Sequence, residues 1–352
     1  MRRRRKSSVA KRLIITAALF LAVMALLITV ALLQPDPHSG PSGIPPQPST
    51  ETNTDTEENP TDSPATSDVN RDTLQTLAQA AFAEESFGAK YMVIYDTTAD
   101  VVLFEKNSST QIVAASTIKL LTALTMLDYV GDDAIFTVGS EISMIGAGSS
   151  TAKLKKGYTL TLEQILDALL IPSGNDAAYV ISAHVGRKLA KDPEITNKEA
   201  VALFLEKMNE KAKSLGAVNS SFTCPDGYPN DTQYTTASDM MKISVAAAAN
   251  EKIRNTTSKV FVTYTMSDGT VLEYTNTNKI MIPSSSYHYE GLFGLKTGTT
   301  NAAGQCLIAG CDIYDHEVII AIFKATDRFA DCQAAIDTAA IAIRGAQEAA
   351  RQ

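Results

Sequence analysis

Apolar and polar positions divide the chain into stretches of different character. Leu13–Leu33 holds no charged residue, and Thr16 and Thr29 are its only polar members. A run of roughly 20 apolar residues is long enough to cross a bilayer core as a helix. Residues 34–72 are rich in Pro, Ser, Thr and acids, with almost no large apolar side chains. Such a stretch cannot bury enough surface to offset its ordering entropy and reads as a disordered stalk, partly extended by its prolines.

Periodic patterns follow. Asp72–Phe82 has helical spacing behind an Asp72 cap. Lys90–Tyr95 and Val101–Glu105 read as strands joined by a polar turn. A very apolar helix then runs from Ser116 to Val130, with Lys119 and Asp128 as its only charges. Residues 131–160 give few signals. Thr161 and Gln164 fit a capping box. It opens a helix whose apolar positions are Leu162, Ile165, Leu166, Leu169 and Leu170, and which Pro172 ends. A tight Ser173-Gly174-Asn175 loop leads to a helix over Ala177–Val185, capped by Asn175 or Asp176. Another helix spans Asn197–Leu215. Val260–Met266 and Val271–Tyr274 flank a Ser-Asp-Gly-Thr hairpin turn. Gly291–Thr297 is a strand closed by Gly298, Gln305–Asp312 and Glu317–Lys324 form a second hairpin, and Asp331–Arg351 is an Ala-rich closing helix. The order strands, helices, strands, helix predicts an α/β sheet with terminal helices packed on it and an inserted helical lobe.

Charge adds an orientation. Residues 1–12 carry seven basic groups and no acid; taking those seven from the net charge of −8 leaves −15 for the remainder. A basic cluster ahead of the apolar run places the N-terminus in the cytoplasm and the body outside the cell membrane. The competing reading is a cleaved signal peptide with Thr29-Val30-Ala31 as its site, which would give a secreted form. The run is long for a signal peptide and continues through Leu32 and Leu33, so an uncleaved anchor is favoured. The expected organisation is a basic tail (1–12), a transmembrane anchor (13–33), a stalk (34–72) and a catalytic domain (73–352). The acidic body argues against nucleic acid as a partner. Four cysteines, Cys224, Cys306, Cys311 and Cys332, contain no C-x-x-C pair. Cys306 and Cys311 lie five apart in a strand, on opposite faces, and no disulfide is expected between them. The four histidines form neither H-E-x-x-H nor a nucleophile elbow, which disfavours a zinc site or a Ser-His-Asp triad.

The candidate chemistry begins with Ser116 and Lys119. Three residues apart on a helix, they share a face. Apolar surroundings lower the pKa of a lysine, so Lys119 becomes a general base beside a serine nucleophile. S-x-x-K also occurs at Ser8–Lys11, in the basic tail, and at Ser150–Lys153, which lacks an apolar helix. What singles out Ser116 is its company. Ser173-Gly174-Asn175 lies in a loop between helices, and Lys296-Thr297-Gly298 ends a strand. The trio in this order is the signature of penicillin-binding proteins and serine β-lactamases.

The stretches Phe104–Asn107, Leu169–Ala178, Tyr234–Asp239 and Gly294–Gly304 resemble the D-alanyl-D-alanine carboxypeptidases of peptidoglycan, over about residues 75–345. The resemblance implies the β-lactamase/penicillin-binding-protein fold, with an antiparallel sheet and an all-helical lobe. It implies no cofactor and no metal. Its partners would be a stem peptide ending in D-Ala-D-Ala, β-lactam antibiotics, and the membrane through the N-terminal helix. Ser116 would attack the carbonyl between two D-alanines, Lys119 take its proton, and Ser173 relay a proton to the leaving D-alanine. Asn175 would hold Lys119 and the substrate amide. Lys296, Thr297, Gly298 and Thr299 would bind the substrate's carboxylate end, with Arg328 as a further candidate. The N–H groups of Ser116 and Thr299 would form the oxyanion hole. This chain departs from the family pattern at Ala114, where Pro is usual, and at Thr117-Ile118, where Leu-Thr is common. The β-rich C-terminal domain and amphipathic C-terminal anchor of many members are also not expected here. The alternatives on the same fold are a D,D-endopeptidase or a β-lactamase; a third is a penicillin-sensing wall protein without turnover. A class A β-lactamase needs a glutamate on a loop after the second motif. Glu206 and Glu210 fall in a helix instead.

Overall fold

The structure, a computed structural model, describes residues 69–352. The basic tail, the Leu13–Leu33 run and nearly all of the stalk lie outside the described residues. Among the described residues no helix is long and apolar enough to cross a membrane.

A five-stranded, wholly antiparallel sheet forms the centre, in the order β2-β1-β9-β8-β7. Its strands are β1 (Tyr91–Asp96), β2 (Val101–Lys106), β7 (Leu292–Thr300), β8 (Gly304–Ile313) and β9 (His316–Ala325). Every residue from Val318 to Phe323 is buried. Alternation of apolar and polar positions is lost there because both faces of the central strand are covered. One face packs Ile320 and Ile322 against α1 (Arg71–Ala83) and α8 (Arg328–Ala350). The other packs Ile319, Ala321 and Phe323 against the helical lobe. Cys306 belongs to the lobe side and Cys311 to the other, as strand alternation predicts, and all four cysteines are free and buried.

The lobe is built around α2 (Lys119–Leu127), in which every residue from Lys119 to Met126 is buried. A helix apolar on all sides is a core helix. Its threonines find acceptors, Thr122 at the Pro225 carbonyl and Thr125 at the Leu121 carbonyl. Around it lie α3 (Leu162–Leu170), α4 (Asn175–Ala190), α5 (Asn197–Ser214), α6 (Ala237–Ala249) and α7 (Glu251–Thr257). Two short hairpins complete the body: β3 (Ile135–Thr137) with β4 (Thr159–Thr161), and β5 (Phe261–Thr265) with β6 (Val271–Thr275).

Several boundaries differ from expectation for local reasons. Asn70, not Asp72, caps α1 and accepts from the Thr73 N–H, so the folded part starts before residue 73. The capping box at Thr161 and Gln164 is complete. By contrast α4 has Gly174 at its cap position and no side-chain cap. Asp176 instead accepts from the N–H groups of Ala152 and Leu154, and Asn175 turns toward Lys119. Gly298 does not close β7; the strand runs on to Thr300. The closing helix begins at Arg328 behind an Asp327 cap, three residues before the expected Asp331.

Asp331, in the first turn of α8, ties that helix to the strand layer. Its carboxylate accepts from the N–H groups of Gly88 at 2.9 Å and Ala89 at 2.7 Å. Asp331→Ala orphans one buried donor, at Ala89, and one partly solvated donor, at Gly88, and is expected to cost roughly 1–3 kcal/mol. Urea unfolding should show a lower midpoint with an unchanged slope; an unchanged midpoint would refute this anchoring role.

Candidate active site

Ser116 lies in a 3-10 turn, Ala115–Ile118, that runs directly into α2. Ala115 enters the turn at φ 48°. Three residues per turn stack positions i and i+3 in line. Ser116 and Lys119 therefore meet, with Nζ 2.8 Å from Oγ. The Lys119 amine is completely buried. It donates to the Asn175 side-chain carbonyl at 2.7 Å and the Asp226 backbone carbonyl at 2.8 Å. Burial lowers its pKa to about 8, while Asp226, Cys224 and Asp176 pull the other way.

The partner set suits a neutral amine. Such an amine has two N–H donors and one lone pair. Both carbonyl oxygens can only accept, so the N–H groups go to them. Ser116 is the partner able to donate, and its O–H can turn to the lone pair. The Ser116 hydroxyl also lies 3.3 Å from the Asp226 carbonyl, an alternative acceptor when the lysine is charged.

Sheet and lobe meet at this turn. Gly298 faces Ser116 across the seam: a Cβ there would fall 3.0 Å from both the Ser116 nitrogen and the Ala115 Cβ, and 3.1 Å from the Ala114 carbonyl. Glycine lets β7 run directly against the N–H of the serine. Lys296 on β7 is buried, and its amine donates to the Thr297 carbonyl at 2.9 Å. Burial, then repulsion from Lys119 and Arg328, holds its pKa well below the ordinary lysine value. The Thr297 hydroxyl shares a hydrogen bond with that of Thr277 at 2.6 Å. One Arg328 nitrogen donates to the Gly298 carbonyl and the Thr299 hydroxyl, each at 2.8 Å, and to the Cys306 carbonyl at 3.2 Å. The guanidinium thus braces the end of β7.

An open cleft of about 480 Å³ lies over Ser116, lined by Asn175, Thr299 and the loops around Ser149 and Tyr228. Ser116, Lys119 and Asn175 form one hydrogen-bonded cluster, and Gly298 and Thr299 lie against it. Ser173 sits on the adjoining loop at φ 66°, nearly buried, and its carbonyl accepts from the Ser150 hydroxyl at 2.7 Å. Its own hydroxyl is bonded to none of Ser116, Lys119 or Asn175. Four participants escaped sequence reasoning. Asp226 contributes a backbone carbonyl, which no side-chain motif betrays. Ser149 accepts from the Asn175 amide at 2.9 Å. Ser150 braces Ser173; its S-x-x-K spacing has no catalytic meaning, because Lys153 is exposed. Tyr228 sits at the cleft mouth and carried no signal.

This arrangement has known counterparts. The family model described as D-alanyl-D-alanine carboxypeptidase matches residues 77–327, and the chain belongs to that family of serine peptidases. D-alanyl-D-alanine carboxypeptidase DacF of Bacillus subtilis is 28% identical over 269 residues, covering 72% of this chain and 64% of that protein. A D-alanyl-D-alanine carboxypeptidase of Streptomyces sp. is 32% identical over 216 residues, covering 58% of this chain and 70% of its own. A solved Streptomyces DD-transpeptidase shares the fold with a TM-score of 0.66 at 26% identity, covering 72% of this chain and 98% of its own.

The pKa of Lys119 sets a pH profile. A base that must be neutral works more as pH rises. The acylation rate should climb about tenfold per pH unit below pH 8 and level off above it. Stopped-flow acylation with a fluorescent penicillin measures this; a rate falling between pH 6 and 8 would exclude Lys119 as the base.

Proposed function

We propose that the chain is a serine-type D-Ala-D-Ala carboxypeptidase that removes the terminal D-alanine of the peptidoglycan pentapeptide and is acylated by penicillins. The buried Lys119 amine, held between Ser116, Asn175 and the Asp226 carbonyl, carries this reading. Lys119 takes the Ser116 proton as Oγ attacks the carbonyl between the two D-alanines. The oxyanion meets the N–H groups of Ser116 and Thr299, donors worth about 3–4 kcal/mol each in such a site. The C–N bond breaks, the leaving amine gains a proton through Ser173, and D-alanine departs. Water then hydrolyses the Ser116 ester, giving the shortened peptide and the free hydroxyl. Asn175 keeps the lysine in register and faces the substrate amide. The carboxylate of the last D-alanine lies toward Lys296, Thr297 and Thr299, with Arg328 holding Thr299 in place. A carboxylate there favours the charged form of Lys296, which burial alone disfavours.

The reading is tested with residues 69–352 or the full chain and a pentapeptide ending in D-Ala-D-Ala. D-alanine should appear, and Ser116→Ala should abolish both its release and penicillin labelling while leaving the circular dichroism spectrum unchanged. Penicillin acylation without D-alanine release would favour the sensing alternative. Rapid turnover of penicillin would favour a β-lactamase.

The Leu13–Leu33 run and the basic residues before it support placement of this body outside the cell on an uncleaved single-pass anchor. The protein extracted from membranes should keep its N-terminal residues by intact mass. A new terminus near Leu32 would mean cleavage and release.

A further inference from the structure

Tyr228 closes a circuit around the cleft mouth. Its hydroxyl donates to the Ala147 carbonyl at 3.2 Å. Its ring packs against Gly146 so closely that a Cβ on that glycine would fall 2.3–2.6 Å from ring carbons. The ring thereby joins two loops that both grip the catalytic lysine. One loop carries the Asp226 carbonyl that accepts from Lys119. The other carries Ser149, which accepts from Asn175, whose carbonyl in turn accepts from Lys119.

Tyr228 also changes the character of the cleft. Apart from Tyr228 and Pro229, the lining consists of Ser, Thr, Asn, Gly and Ala, and no charged side chain contributes. Tyr228 remains 38% exposed, so its outer face is free to meet a ligand. The lining on the sheet side begins at Thr299 and continues to Ala302, omitting Lys296 and Thr297. The open volume therefore starts at Ser116 and Thr299 and runs along the chain toward Ala302, away from the buried Lys296 and Thr297, and that far part is the one left for the acyl half of a substrate.

We propose that Tyr228 is the specificity-determining wall of the acyl subsite, taking an uncharged, largely aliphatic or aromatic group on the residue before D-Ala-D-Ala. The acylamino group of a β-lactam would use the same wall. The inference deepens the carboxypeptidase reading and rests on it. An apolar contact of this kind changes kcat/KM ratios by about 10–200-fold.

The test compares kcat/KM for Nα,Nε-diacetyl-L-Lys-D-Ala-D-Ala and N-acetyl-L-Ala-D-Ala-D-Ala on the full chain. The unaltered protein should prefer the lysyl peptide. Tyr228→Ala should reduce that preference about tenfold, whereas Tyr228→Phe, which keeps the ring, should hold it within about twofold. Gly146→Ala, which displaces the ring without removing it, should act in the same direction as Tyr228→Ala. No initial preference, an unchanged ratio in Tyr228→Ala, or a parallel fall for both peptides would each overturn the inference; the last would mean that the ring only braces the loops. If the unaltered protein releases D-alanine from neither peptide, the carboxypeptidase reading fails by itself. The same ratio is then read from acylation rates with benzylpenicillin against the side-chain-free penicillin nucleus, where Tyr228→Ala must still narrow the difference.

Discussion

A lysine amine without water is the constraint on which the rest of the structure depends. Removing an ammonium group from solvent costs several kcal/mol, so a buried lysine must be well partnered or neutral. Lys119 is partnered, and burial lowers its pKa to about 8, so a neutral fraction exists near pH 7. Its acceptors come from Asn175, 56 residues away, and Asp226, 107 residues away. No local element can supply them. A central helix inside a lobe, with α4 and the 224–231 loop closing over its first turn, brings both to one nitrogen. The buried helix α2 is therefore more than a core filler: its first residue would be an intolerable charge without that lobe.

The sheet contributes the other half of the cleft through proximity. β7 can approach the Ser116 turn because Gly298 has no side chain where the backbones nearly touch. That approach places a second buried amine, Lys296, in the same seam, and the two lysines repel. The described body is acidic overall, yet three basic residues, Lys119, Lys296 and Arg328, gather beneath the cleft floor with no carboxylate in ion-pair contact. An anionic peptide terminus is the natural complement: it supplies the countercharge that the protein withholds.

Much of this was legible in the residues and some was not. Sheet strands β1, β2, β8 and β9 fell close to their expected bounds because alternation and turn residues mark them. The α3 start was legible because Thr161 and Gln164 satisfy each other's backbone. Legibility failed where tertiary demands override local ones. Asn175 and Asp176 looked like caps, but their side chains are used by Lys119 and by the Ala152–Leu154 backbone. Gly298 looked like a strand stop, but it permits a close crossing within a continuing strand. β3 and β4, three residues each, are too short to show a period. The three motifs pointed to the family because they specify side chains. Asp226 works through its carbonyl and Tyr228 through its place in a loop, and neither property is written in residue type.

The same burial sets stability against activity. Lys119 has a folded pKa of about 8 against an ordinary 10.5. A depressed lysine pKa means that the folded state resists protonation. Its penalty is absent above the unfolded value, grows as pH falls toward 8, and is fully present below it. At about 1.4 kcal/mol per pKa unit, the cost at neutral pH is roughly 3 kcal/mol. A methionine would fill the space without that cost, so stability alone gives no reason for a lysine there. The hydrogen bonds that the amine donates to the Asn175 and Asp226 carbonyls offset part of the cost of burial and leave the lone pair of the neutral form toward Ser116. The site is thus a place where the fold tolerates a poorly solvated amine, and the proposed removal of the Ser116 proton near neutral pH is a use that would repay that cost.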